Sequence, residues 1–101
     1  FPQQLTAKKL LLNCNSSSLT LVGRRNQNYC LGFVSGVEEG LRFYEKEYVK
    51  SAAPQFCIPS KTKSKQLVDA FNKYAIANQS SLNKPAVLMI VEALKKAFPC
   101  R

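Results

Sequence analysis

The sequence predicts an all-α protein, a small bundle of four to five helices stapled by disulfides. Three observations support this fold class. Apolar residues recur at helical spacing in several segments, and proline, glycine and asparagine mark the breaks between them. Four cysteines are spread along a chain of only 101 residues, as is typical of small domains that disulfides stabilise.

The composition limits the functions open to the chain. It contains no histidine and no tryptophan, so neither a histidine-based nucleophile pair nor a histidine-rich metal site can be built. We expect no enzymatic activity, catalytic residue, metal or cofactor. The net charge is +9, but the cations are scattered without interleaved aromatic residues, so nucleic-acid binding is not expected. The longest apolar run, residues 86–91, is far short of the roughly 20 residues that cross a bilayer, which argues against membrane insertion.

The first helix is predicted over residues 5–13, with Thr6 as its N-cap. The polar stretch that follows, residues 15–26, is interpreted as a surface loop with an apolar anchor at residues 19–22. A long central helix should then run from about residue 27 to at least residue 44, bend or break near Gly40, and be ended by residues 51–54. Its acidic residues, Glu38 among them, alternate with basic ones in the manner of a solvated flank.

The central helix carries two features on its surface. Gly32, Gly36 and Gly40 recur every fourth residue, although each should cost roughly 1 kcal/mol of helix stability relative to alanine. We expect this glycine stripe to allow close packing by another helix of the same chain, and contact with a second copy is the alternative. The spacing of apolar residues predicts a core-facing side made of Cys30, Phe33, Val34, Val37, Leu41 and Tyr44.

Two more helices complete the bundle after a linker at residues 55–59. The third should begin with Thr62 or Ser64 as its cap, and its core face comprises Leu67, Val68, Phe71, Tyr74 and Ala75. After a polar turn, Asn83 is predicted to cap the fourth helix, with Pro85 in the first turn and Pro99 at the end. The apolar face expected for this helix comprises Val87, Leu88, Val91, Leu94 and Phe98.

The helix order also predicts the disulfide pairing. A short turn makes helices three and four an antiparallel hairpin, so its two open ends lie side by side, and Cys57 and Cys100 occupy those ends. We therefore pair Cys57 with Cys100. Cys14, at the end of the first helix, then pairs with Cys30 near the start of the second.

Four motifs resemble one known family. They are YCLGFVSG at residues 29–36, FCIP at 56–59, LVDAFNKY at 67–74 and ALKKAFPC at 93–100. Their order and spacing are similar to those of the Rap/Tai immunity proteins of bacterial type VI secretion, and the resemblance covers about residues 14–100. It implies one immunity domain over residues 1–101 that works in the periplasm. The sequence begins at Phe1 without an initiator methionine, so we expect that a signal peptide has been removed.

The resemblance also implies a function in competition between bacteria. Such a protein binds and inhibits a secreted peptidoglycan amidase effector, an NlpC/P60-type cysteine peptidase, as a homodimer that blocks the active-site cleft. A cationic lipid-binding helical protein of saposin type, or a periplasmic acid chaperone, are the alternatives. The expected contact is the turn between the last two helices, which otherwise serves only as a connector: Gln79, Ser80, Ser81, Leu82, Asn83 and Lys84. Lys61, Lys63 and Lys65 form either a solvated helix start or a patch facing an acidic partner.

Overall fold

The computed structural model describes residues 4–50 and 53–100. Within these ranges no helix is long and apolar enough to cross a membrane, and an isolated bridge between Thr6 and Pro85 is the only β-type pairing. The predicted all-α fold is therefore confirmed, with four helices. They are α1 (Ala7–Cys14), α2 (Leu21–Tyr48), α3 (Ser64–Ala77) and α4 (Ala86–Ala97), and a 3-10 turn at Gln79–Ser81 joins the last two.

Helix α2 begins earlier than predicted. The side chain of Thr20 accepts a hydrogen bond from the Gly23 amide at 2.9 Å, which caps the helix at this point. Gly23 is buried, and a Cβ there would overlap the carbonyl oxygen of Ser17, so only glycine lets the preceding loop pack this closely. The predicted apolar anchor at residues 19–22 is wrong, because Leu19 is 90% exposed and Val22 is 64% exposed.

Helix α2 is also longer than predicted and forms the long axis of the molecule. Its 28 residues span about 42 Å at 1.5 Å per residue, close to the longest extent of the protein, 45 Å. The expected break near Gly40 is absent, since the helix continues through this residue to Tyr48. Residues 51 and 52, which were predicted to help end the helix, lie outside the described residues.

The core forms where the other three helices pack together against one side of α2. Each of the four helices contacts the other three.

Thr6 caps α1 as predicted, accepting from the Lys9 amide at 3.3 Å. The predicted face of α3 is confirmed, with Tyr74 at its half-buried edge, and Cys30 and Val34 are buried on α2, whereas Tyr44 is exposed. The fully buried side chains of greatest volume are Phe71, Leu10, Ile90, Leu94, Val34 and Cys30.

Helix α4 is rotated relative to the prediction. Leu94 is buried as predicted, and Phe98 packs against the core. Val87 and Leu88 are exposed, however, and the other buried residues of the helix are Ala86, Met89, Ile90 and Ala93. Residues 86–91 are all apolar, so their spacing does not distinguish the inner face from the outer one. A backbone contact decides it: the Ala86 amide donates to the Leu5 carbonyl at 2.8 Å, which holds the start of α4 against the start of α1.

Both predicted helix caps in this half of the chain are also wrong. Pro85, not Asn83, is the N-cap of α4. Lys63, not Thr62 or Ser64, is the N-cap of α3, and its amide donates to Oε1 of Gln66 at 2.7 Å. This bond satisfies the amide of the N-cap residue itself, which is the part that the side chain at the third helical position plays in a capping box.

The two disulfides are those predicted. Cys14 bonds to Cys30, with Cα atoms 5.1 Å apart, and ties the end of α1 to α2. Cys57 bonds to Cys100, with Cα atoms 4.9 Å apart, and ties the linker to the end of the α3–α4 hairpin. The Cys57 amide also donates to the Phe98 carbonyl at 2.8 Å, so a backbone hydrogen bond and a disulfide both join the linker to the end of α4.

Candidate partner-binding surfaces

The turn between α3 and α4 is held firmly against α1. The amide of Ala7 donates to the Lys84 carbonyl and that of Lys8 to the Leu82 carbonyl, both at 2.9 Å. These amides belong to the first turn of α1, whose N–H groups have no partner within the helix. The turn therefore supplies the acceptors that α1 lacks, and it becomes a rigid surface and not a freely projecting tip.

The side chains of this turn divide into two groups. Gln79, Ser80, Asn83 and Lys84 are exposed, while Ser81 and Leu82 are half-buried. Leu82 was predicted to contact the partner with the rest of the turn, but it packs against the protein's own core, so its side chain is not available for that contact. The surface offered to a partner is polar and carries one positive charge.

The glycine stripe of α2 does not pack within the chain, so that expectation is wrong. Gly32, Gly36 and Gly40 are exposed, and a Cβ on any of them would meet no atom within 4 Å among the described residues. The other helices lie against the opposite side of α2, where Cys30 and Val34 are buried. The stripe is left as an open surface next to exposed aromatic residues.

Aromatic side chains flank the stripe on the same helix. Tyr29 stacks on Phe33 with ring centroids 6.0 Å apart, and Tyr29 remains 49% exposed. Near the other end, Phe43 is 59% exposed and lies edge-on to Tyr48, with centroids 6.3 Å apart. Exposed aromatic residues beside a smooth backbone surface are typical of protein contacts.

A cleft that the sequence did not reveal lies between α2, the linker and the start of α3. Its volume is about 650 Å³, its apolar lining includes Phe56, Ile58 and Leu67, and Arg42, Lys46 and Lys50 also line it from α2. Sequence analysis identified residues 55–59 only as a linker, and no pattern within any of the three segments predicts that they come together to form a cleft.

The carboxylates of Glu38 and Glu45 also line this cleft, and each makes a hydrogen bond there. Glu38 is buried, contrary to the predicted solvated flank, and one of its oxygens accepts from Nε of Arg42 at 2.9 Å. Oε2 of Glu45 accepts a hydrogen bond from the backbone N–H of Gln55 at 3.0 Å, and this bond holds the linker against α2. Lys61, Lys63 and Lys65 are all exposed beside the cleft's α3 wall, and they make this end of the molecule strongly cationic.

The surfaces are suited to binding and supply no thiol chemistry. All four cysteines are joined in disulfides, so none is a nucleophile. Residues 4–50 and 53–100 contain no cluster of histidine, cysteine or carboxylate groups that could hold a metal ion. The polar turn, the glycine stripe and the cleft beside Phe56 are the candidate contacts for protein partners.

Comparison with known families identifies the kind of protein. The family model of Rap1a immunity proteins matches residues 6–100, nearly the whole chain and all four cysteines. No curated protein and no solved structure matches this chain significantly. The matched region contains all four helices and both disulfides described above. The chain belongs to the Rap1a immunity protein family.

Proposed function

We propose that this protein is a periplasmic immunity protein that binds a type VI secretion peptidoglycan amidase and blocks its active-site cleft. The amidase would be an NlpC/P60-type cysteine peptidase. The family match over residues 6–100 is the observation that carries the proposal, and it favours this function over the lipid-binding and acid-chaperone alternatives. Inhibition requires only binding, so the immunity protein itself performs no chemistry.

The rigid turn supports the proposed mode of inhibition. A surface that enters an enzyme cleft binds more tightly when it loses little conformational freedom on binding. Backbone hydrogen bonds from Ala7 and Lys8 already fix the turn in the free protein. Gln79, Ser80 and Asn83 would then donate and accept hydrogen bonds at the effector's catalytic cleft, with Lys84 beside them.

Charge and covalent structure support the rest of the proposal. A net charge of +9 favours an effector with an acidic surface, and the exposed lysines at the start of α3 would speed the encounter. Two disulfides suit an oxidising compartment such as the periplasm. We also propose that the protein acts as a homodimer.

The test is rescue of bacteria that export a candidate amidase to the periplasm, together with inhibition of the purified enzyme. The wild-type protein should restore growth and bind the amidase. The triple substitution Gln79→Ala, Ser80→Ala and Asn83→Ala removes only exposed side chains, and it should weaken inhibition at least about tenfold if these side chains form the central contact.

A matched control replaces two of these residue types at exposed positions outside the turn and outside α2. The substitutions Gln55→Ala and Ser18→Ala should leave inhibition unchanged. Equal inhibition by the turn variant and the wild type would overturn the assignment of the turn. Failure of the wild type to protect against any amidase of this class would overturn the proposed function.

A further inference from the structure

The side of α2 that faces away from the core carries an ordered series of seven exposed residues. At about 100° per residue, they fall within an arc of roughly 80° on the helix surface. Their successive spacings are four, three, four, four, three and four residues. The series is Arg25, Tyr29, Gly32, Gly36, Gly40, Phe43 and Glu47.

This series is symmetric about Gly36. Gly32 and Gly40 lie four residues on either side of the centre, and Tyr29 and Phe43 lie seven residues away. At eleven residues the two sides carry opposite charges, Arg25 before the centre and Glu47 after it. Around a two-fold axis that crosses an antiparallel helix pair at residue 36, each position meets its counterpart from the other copy.

We infer that α2 pairs with α2 of a second copy in an antiparallel arrangement whose two-fold axis passes through Gly36. This inference deepens the homodimer of the proposed function by naming its surface and register. Glycine meets glycine at the centre, aromatic meets aromatic on each side, and arginine meets glutamate at each end. The contact spans residues 25–47, about 33 Å of helix.

Steric space allows this contact. Glycine in a helix interior is unfavourable unless close packing compensates for it, and within the described chain no atom lies near the missing side chains of the stripe. A second α2 would fill that space and let the two backbones approach. It would also cover Tyr29 and Phe43, which are 49% and 59% exposed in the single chain.

Charge selects the antiparallel orientation. In a parallel pair, Arg25 would face Arg25 and Glu47 would face Glu47, which is repulsive at both ends. In the antiparallel pair both ends carry opposite charges. Among the described residues the two ion pairs are Arg42 with Glu38 and Lys95 with Glu92, so the intrachain ion pairs there involve neither Arg25 nor Glu47.

Cysteine cross-linking tests the register directly. Gly36→Cys should give a disulfide-linked dimer, because the two copies of residue 36 meet at the axis. Gly32→Cys alone should not, since its two copies lie about 12 Å apart along the helices, too far for a disulfide. An equimolar mixture of differently tagged Gly32→Cys and Gly40→Cys chains should form the mixed dimer. Peptide mapping checks that the native bridges are intact.

Charge reversal at residues 25 and 47 tests the two ends of the proposed helix contact without introducing a cysteine. At about 0.15 M salt, which screens the general repulsion between two cationic chains, Arg25→Glu should weaken dimerisation about tenfold or more, and so should Glu47→Arg. Combining both should restore it to within about threefold. Sedimentation velocity measures the association, and circular dichroism confirms that each variant is folded.

Several results would overturn the inference: a monomeric wild type at millimolar concentration, cross-linking of Gly32→Cys with itself, or no recovery in the double charge variant. Inhibition of the amidase is measured on the same samples. A correct cross-linking pattern with no inhibition refutes the proposed function alone, and full inhibition with the wrong pattern refutes the register alone.

Discussion

Gly40 and Gly23 have opposite surroundings within α2, so alanine at each should change the free energy of unfolding in opposite directions. A Cβ at Gly40 meets no atom within 4 Å among the described residues. Gly40→Ala should therefore gain the full difference in helix propensity, about 1 kcal/mol. For a domain of this size, that gain corresponds to a rise in melting temperature of about 4–8 °C.

Gly23→Ala is the matched control within the same helix. Its Cβ would overlap the Ser17 carbonyl oxygen and lie 2.9 Å from Oγ1 of Thr20, the atom that caps the helix. Because the first clash is with backbone, relief requires the loop to move. We expect the substitution to lower the free energy of unfolding by about 1–3 kcal/mol, the usual cost of overpacking.

Urea unfolding followed by circular dichroism provides the comparison. Measurements at two protein concentrations separate the intrinsic stability of the chain from any stabilisation by dimerisation, which depends on concentration. A loss of stability in Gly40→Ala that is the same at both concentrations would refute the conclusion that the glycine stripe faces away from the core. Normal stability in Gly23→Ala would refute the packing of the loop on α2.

Three further predictions concern the core, the cross-links and the charge. Phe71→Ala should cost about 3–5 kcal/mol because Phe71 is fully buried, whereas Phe43→Ala should change the unfolding free energy of the monomer by less than about 0.5 kcal/mol. Replacing the Cys57–Cys100 bridge with paired serines should cost about 4 kcal/mol for a separation of 43 residues. The Cys14–Cys30 bridge closes 16 residues, so its chain-entropy contribution should be about 3 kcal/mol, and urea unfolding measures both losses. The association rate with an acidic effector should fall severalfold between about 0.05 and 0.3 M salt in stopped-flow measurements, and an unchanged rate would exclude steering by the lysines.

Where an interaction lies within one segment, the sequence was a reliable guide. Thr6 caps α1 as predicted because its hydroxyl reaches an amide only three residues away. The α3 face is correct because polar residues separate its apolar positions clearly. The prediction failed for the start of α4, whose first six residues are all apolar, although Leu94 further along is buried as predicted. It also failed for Asn83, because Pro85 is the N-cap of this helix.

The candidate surfaces show the same difference between features that lie within one segment, which the sequence predicts, and contacts between segments, which it does not. Residues of the α3–α4 turn could be located from the sequence, but their attachment to α1 could not, because it depends on amides more than 70 positions away. The cleft beside Phe56 was missed altogether, since its walls come from α2, the linker and α3. The glycine stripe was found, but the sequence suggested the wrong neighbour for it.

By itself, the sequence determined the all-α class, the approximate helices, both disulfides and the family resemblance. These depend on helical periodicity, on the reach of a covalent bond between hairpin ends, and on motifs of a few residues. Only the tertiary structure decided which face of α4 is buried, that Glu38 lies inside a cleft, and that Gly32, Gly36 and Gly40 face outward. The physical reason is that a helix defines its own faces locally, whereas the neighbour of each face depends on how all four helices pack together.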